Sequence, residues 1–108
     1  MAAAFNEGGN FGHHPAANTE ATFTVAADSL RARRLTALVA GYDGFPTAGT
    51  LTATLGGTVV RKIEITSPGP APVGWEIEIP PGDALVMSLE ASGDASVTGF
   101  IDALVVDA

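Results

Sequence analysis

Apolar and polar residues alternate along short runs of this chain, and glycine or proline turns separate the runs from residue 20 onward. Alternation with a period of two places every second side chain on one face of a strand, whereas a helix repeats at intervals of three and four residues. No segment carries the helical period. The pattern therefore predicts an antiparallel two-sheet β-sandwich of jelly-roll type, formed by residues 20–108 as one domain behind an extended N-terminal arm, residues 1–19.

Turn signals divide the sandwich into its predicted strands. Gly56-Gly57 lies between two alternating runs and predicts a two-residue hairpin. Residues 67–72 contain three prolines, so we expect a stiff loop there. The pattern gives seven strands and allows an eighth, in the arm or in residues 42–49. The seven predicted strands are 20–26, 35–41, 50–55, 58–66, 73–80, 84–91 and 96–106.

Two of these strands are apolar on both faces. Residues 35–41 therefore form a central strand or border another subunit. In the last strand, Phe100, Leu104 and Val106 make the second face too apolar for water. We expect that face to be buried in the centre or to form an interface between subunits of an oligomer.

The inner face of the sandwich is predicted from the same alternation. Trp75 falls among the inward positions and is expected to be the largest core residue. Val59, Ile63 and Ile65 are expected to continue the core across the hairpin. Arg61 interrupts them and indicates a strand end, a bulge or a charge directed at a partner.

Charge and composition narrow the function classes. The 108 residues include 12 acidic and 5 basic side chains, for a formal net charge of −7, and no cysteine. Nucleic-acid binding requires clustered Lys and Arg, and thiolate metal sites require cysteine. The chain shows neither a signal-peptide pattern nor a run long enough to span a membrane. We expect a soluble, cytoplasmically made protein without a nucleic-acid partner, membrane partner, metal or cofactor.

The arm carries few large apolar groups, Phe5 and Phe11, together with the adjacent pair His13-His14. One interpretation is a disordered tail, because termini fray unless they are docked. The other is an arm that becomes ordered on a neighbouring protein, with the two phenylalanines as anchors. The histidines have no further ligands at a recognisable spacing, so they favour contact with a partner over metal binding.

Most of the positive charge lies just before the second strand, at Arg31, Arg33 and Arg34. A solvated strand entry and a phosphate contact are both compatible with this cluster. In a protein of net charge −7 we favour an electrostatic contact with an acidic neighbour. Acidic residues of an adjacent subunit that fit this contact are Asp102, Asp107, Glu76 and Glu78.

Candidate catalytic groups are sparse. Glu76 and Glu78 lie two apart on one strand face, whereas glycoside hydrolysis requires carboxyl groups opposed across a cleft. The serines have no nearby histidine and no nucleophile-elbow glycines. The sequence therefore predicts a protein that is not an enzyme.

From Ile63 to Asp107 the chain resembles small jelly-roll proteins of tailed-phage particles, namely decoration (cement) proteins and head or tail attachments. The resemblance is carried by IEITSPGPAPVGWEIEIPPGDALVMSLEASGDASVTGFIDALV, in which a Pro-containing turn precedes a small-residue strand, a Ser-Gly turn and a last strand of the Val-Thr-Gly-Phe type. It implies a trimeric or otherwise oligomeric module on a particle surface.

The leading hypothesis is accordingly a virion structural protein that decorates the outer surface of a phage head and bridges its shell subunits. The major capsid protein would be its partner. The capsid contacts would come from the arm and the arginines, and a homotrimer would form through the last strand. The alternative is a carbohydrate- or receptor-binding β-sandwich module of a phage appendage, with Tyr42, Phe45 or Trp75 stacking on sugar. A small glycosidase or esterase using Glu76 and Glu78 or the serines is the remaining rival.

Overall fold

The computed structural model of this chain describes residues 10–108, with side chains from His13 onward. Nine strands are present in this part of the chain, all paired antiparallel. They are β1 (Asn10–His13), β2 (Ala21–Val25), β3 (Arg33–Tyr42), β4 (Thr50–Leu55), β5 (Thr58–Glu64), β6 (Gly69–Val73), β7 (Ile77–Ile79), β8 (Leu85–Leu89) and β9 (Gly99–Asp107).

The strands form the two sheets of a jelly-roll-type sandwich, which confirms the predicted fold class. One sheet has the order β1-β9-β3-β6, with β7 also paired to β3; the other has the order β2-β8-β4-β5. The arm supplies β1, which pairs with β9 from Asn10 to His13, so the eighth strand allowed in the arm is present. Among the described residues, no helix has the length and apolarity needed to cross a membrane.

The core lies between the sheets and consists of the inward residues of each alternating run. In β2, β8 and β9 every second residue is buried, as the alternation predicts. β3 is central, flanked by β9 on one side and by β6 and β7 on the other, as its two apolar faces predict. Its inward residues Leu35, Leu38, Ala40 and Tyr42 are almost completely shielded from solvent.

The hairpin of β4 and β5 forms as predicted, but β5 does not continue the core. Val59 is 56% exposed and Ile63 is 43% exposed; only Ile65 is buried. A register shift between Ala53 and Thr54 places Val59 opposite Thr54, so the bulge reverses the alternation. Of the three interpretations of Arg61, the bulge is therefore confirmed. Ile63 is exposed because β5 is an edge strand.

A strand forms where a stiff loop was predicted, and that prediction was wrong. β6 pairs with β3, with Pro70 opposite Gly41 and Pro72 opposite Val39. Prolines two residues apart turn their nitrogens to the same side of a strand, here away from β3. β6 is an edge strand, so neither proline removes a hydrogen bond from the sheet.

The prediction that Trp75 is the largest core residue was also wrong. The run 73–80 is divided into β6 and β7, and Trp75 lies in the connection between them. It is half-buried and packs against the margin of the core. The largest fully buried side chains are Arg33 and Tyr42.

Candidate functional site

A groove of about 460 Å³ runs over the outer face of the five-stranded sheet. Its shape follows from the strand register. Gly41 of β3 lies opposite Phe100 of β9 on one side and Pro70 of β6 on the other. Residues directly opposite each other in antiparallel strands share a face, so the rings of Phe100 and Pro70 lie on the outer face on either side of Gly41. The full lining is Ala37, Leu38, Val39, Pro70, Phe100, Asp102, Ala103 and Leu104.

Gly41 is required by the close approach of β6 to β3. A Cβ built on Gly41 would lie 2.3 Å from the carbonyl oxygen of Gly69, which is a backbone atom that a rotamer change cannot move. Any larger residue here would push β6 away. The close packing of β6 against β3 therefore depends on the absence of a side chain at this position.

His14 borders the groove beside β9. Its imidazole is stacked on the ring of Phe100, with the centroids 5.4 Å apart and the planes inclined by 17°. Its Nε2–H donates a hydrogen bond of 2.9 Å to Oδ1 of Asp102. His14 remains 62% exposed, so one aromatic surface and one carboxylate are held together at the rim and are open to solvent. Stacking surfaces with an adjacent polar group are typical of small-molecule sites.

The residues predicted to bind a partner through the arm have these positions. Phe5 lies outside the described residues, and the backbone of Phe11 lies in β1, opposite Ala103 of β9. His13 accepts a hydrogen bond through Nδ1 from the backbone N–H of Thr22, which ties β1 to β2. His14 is part of the groove rim.

The three arginines do not form one surface cluster. Arg33 is 1% exposed and donates to the backbone carbonyl oxygens of Ala26 and Asp83, so the expectation of a partner contact for Arg33 is corrected. Arg33 lies directly opposite Ile79 of β7, and because opposite residues share a face, both side chains point into the interior of the sandwich. Strand alternation then places Arg34 on the opposite face.

Acidic residues of the same chain engage the other two arginines. Arg31 lies 3.0 Å from Asp28 and 3.5 Å from Asp107, and Arg34 lies 2.7 Å from Glu78. Asp107 and Glu78 were expected to act from an adjacent subunit. Both are supplied within one chain instead.

Phe100, Leu104 and Val106 lie together on the outer face of β9 and are half-buried within the single chain. The face is therefore a sheet surface and not a second interior. Phe100 and Leu104 line the groove, whereas Val106 lies beyond it, opposite Arg34. An oligomer formed through these residues stays a prediction.

The three aromatic residues named for stacking on sugar differ in access. Tyr42 is fully buried and its hydroxyl donates to the carbonyl oxygen of Glu90 at 2.7 Å, so its proposed role in stacking on sugar is wrong. Burial, followed by the charges of Glu90 and Glu64, raises the pKa of Tyr42 to about 12. Trp75 is half-buried, and Phe45 protrudes from the β3–β4 loop with 71% exposure.

The side chains considered for catalysis make other contacts within the described part of the chain. Glu78 is paired with Arg34, and neither His13 nor His14 makes a hydrogen bond to a serine.

Two further carboxylates, Asp94 and Asp28, act as local turn caps. Hydrogen bonds from Ser96 lower the pKa of Asp94, and hydrogen bonds from the Leu30 N–H and from Arg31 lower the pKa of Asp28. No group of three His, Asp or Glu residues suited to a metal ion occurs among residues 10–108 as described.

Sequence analysis identified Phe100 and Leu104 of the groove but missed Asp102 as a groove residue, together with Pro70 and the lining residues of β3. A signal for the β3 residues was present, because residues 35–41 are apolar on both faces of the predicted strand. Its neighbours could not be identified without the order of the strands. The prolines of β6 had been assigned to a loop.

Comparison with known proteins gives similarity in structure only. No family model and no curated protein matches the chain. "Family 16 Carbohydrate Binding Module-2" is 14% identical with a TM-score of 0.54, over 88% of this chain and 75% of that one. "Carbohydrate-Binding Module CBM36 in complex with calcium and xylotriose" is 16% identical with a TM-score of 0.48, over 95% and 92%. "Structure of a family 35 carbohydrate binding module from an environmental isolate" is 14% identical with a TM-score of 0.49, over 86% and 72%. At 14% identity, the likeness to the family 16 module shows the β-sandwich fold alone.

Proposed function

We propose that this protein is a non-catalytic carbohydrate-binding β-sandwich module whose ligand lies in the groove on the outer face of the five-stranded sheet. The observation that carries the proposal is the rim formed by His14, Phe100 and Asp102. Carbohydrates present apolar ring faces and hydroxyl edges, so their sites combine an aromatic surface with hydrogen-bonding groups. The rim supplies both within one hydrogen-bonded unit.

The apolar walls complement this rim. Phe100 and Leu104 form one side and Pro70 forms the other, with Ala37 and Val39 between them. Adjacent strands are about 4.8 Å apart, so the backbones of the two walls are separated by about 10 Å. A sugar ring inserted there would contact apolar side chains on both sides. The similar fold of a family 16 carbohydrate-binding module supports the same function class.

The test is a glycan array followed by calorimetry on any glycan bound. Phe100→Ala and His14→Ala should each weaken binding about tenfold or more if the rim is the central contact. Phe45→Ala is the matched control, because Phe45 is an exposed aromatic on the β3–β4 loop and does not line the groove. Loss of binding in the Phe45 variant with retention in the other two would move the site to the loops.

Attachment to a phage particle is a second proposal, supported by the half-buried apolar side chains Phe100, Leu104 and Val106 on one sheet face. Such a face suits docking on a shell protein as well as on a glycan. A protein inventory of purified particles tests it. Many copies per particle would support decoration of the major capsid protein, and absence from particles would reject it.

A further inference from the structure

The strands that line the groove determine its direction. All its lining residues belong to β3, β6 and β9. From Phe100 to Leu104 the wall extends over five residues, and the four steps between them span about 13 Å at the rise of a strand. A trough of this shape suits a segment of an extended chain lying along β3.

The lysine and arginine residues of the protein all lie away from this trough, and His14 at the rim is hydrogen-bonded to Asp102. Arg33 is buried on the inner face, and Arg34 is engaged by Glu78 beyond the end of the groove. Arg31 is held by Asp28 and Asp107 in the loop before β3. The other two, Arg61 and Lys62, are on β5 in the opposite sheet. These five are all the Lys and Arg of the chain.

The charge inside the trough is negative. Asp102 lines it, and Oδ2 of this carboxylate accepts no hydrogen bond from the described residues. The whole chain carries a formal charge of −7, which adds a long-range field of the same sign. A polyanion brought to this face would meet the Asp102 carboxylate, and the lining holds no lysine or arginine to compensate that charge, which opposes binding.

We infer that the ligand is an uncharged polysaccharide chain, bound along β3, and that the site excludes acidic polysaccharides of similar backbone. The inference rests on the proposed carbohydrate-binding function. In this arrangement the apolar walls contact ring faces, and Asp102 accepts hydrogen bonds from sugar hydroxyls. Selectivity comes from charge and not from the shape of the backbone.

Affinity electrophoresis in gels containing matched polymers separates charge from backbone. The probes are hydroxyethylcellulose against carboxymethylcellulose, dextran against carboxymethyl dextran, and highly methyl-esterified pectin against polygalacturonate. Retardation by at least one neutral polymer, with none by its carboxylated partner, is the expected result. Equal or stronger retardation by the carboxylated partner would overturn the inference and leave carbohydrate binding intact. Retardation by no polymer would overturn both.

A charge added to the groove gives an independent readout. Ala37 is exposed at the trough, so Ala37→Lys introduces a cation there, and Ala37→Gln is a neutral control of similar length. The Lys variant should acquire severalfold retardation by the carboxylated partner of the polymer that the wild type binds, whereas the Gln variant should not. Identical behaviour of the two variants would show that charge in this trough does not set selectivity.

Discussion

The imidazole of His14 lies parallel to the ring of Phe100, with 5.4 Å between the centroids, and the same imidazole is hydrogen-bonded to Asp102. The two aromatic residues come from opposite ends of the sequence. Pairing of β1 with β9 brings them together, because it ends at His13 opposite Ile101. The arm and the last strand therefore build one surface.

This stacking predicts an energetic coupling between His14 and Phe100. A double-mutant cycle of His14→Ala and Phe100→Ala, measured by urea unfolding, should give a coupling of about 0.5–1.5 kcal/mol. The parallel cycle of His14→Ala with Phe45→Ala should give none, since Phe45 is 71% exposed and makes no ring contact with His14 in the described part of the chain. Equal couplings in the two cycles would contradict the contact.

Adjacent arginines should respond differently to substitution. Arg33→Met should lower the free energy of unfolding by about 3 kcal/mol, because it removes the buried guanidinium that donates to the carbonyl oxygens of Ala26 and Asp83. Arg34→Met removes an exposed ion pair with Glu78 and should cost at most about 1 kcal/mol. Chemical denaturation of both variants checks this, and a larger cost at Arg34 would contradict the assigned faces.

The single tyrosine provides a direct test of burial at alkaline pH. The pKa of Tyr42 is raised to about 12, chiefly by burial. The folded protein therefore keeps the phenol proton between pH 10 and 12 while the unfolded chain releases it. Stability contributed by Tyr42 is complete below pH 10 and is lost as the pH rises through 12. A phenolate absorbance titration should show no transition near pH 10 while the protein stays folded.

The approach of β6 to β3 predicts a glycine requirement at one position. Gly41→Ala should destabilise the protein by about 2 kcal/mol and widen the groove, because the added methyl group meets the Gly69 carbonyl oxygen. Gly74→Ala is the control, since a Cβ there meets nothing within 4 Å. Thermal unfolding of both variants measures the difference. Similar melting temperatures would show that β6 can move away without cost.

Trp75 should report its half-buried position. Trp75→Ala should cost less than the 3–5 kcal/mol typical of a buried tryptophan, and less than Met87→Ala, which removes a fully buried side chain. Acrylamide should quench the fluorescence of this single tryptophan in the folded state. Strong protection from quenching would place Trp75 back in the core.

The local alternation of apolar and polar residues was sufficient to predict most of the strands, but it was not sufficient to predict the candidate site. Alternation located β2, β4, β8 and β9, and Gly56-Gly57 located the hairpin, because these signals depend only on residues near in sequence. Alternation failed to predict β6, because prolines are compatible with a strand only at the edge of a sheet. It also misplaced Trp75, because residues 73–80 look like one strand in the sequence but are divided between β6 and β7. The contact of His14 with Phe100 joins residues distant in sequence, and it follows only from the strand order. Arg33 was misassigned because charge was taken as a sign of exposure.

Pro70 and Pro72 also limit how this protein can associate with itself. Edge strands of sandwiches recruit further strands through open backbone N–H groups, which is the route to fibrils. On β6 two of these groups are missing, and the neighbouring edge β5 carries a bulge together with Arg61 and Lys62. The two sheets therefore cannot readily add further strands at β5 and β6. Two copies of the chain that meet at these edges must make contact through side chains instead of backbone hydrogen bonds.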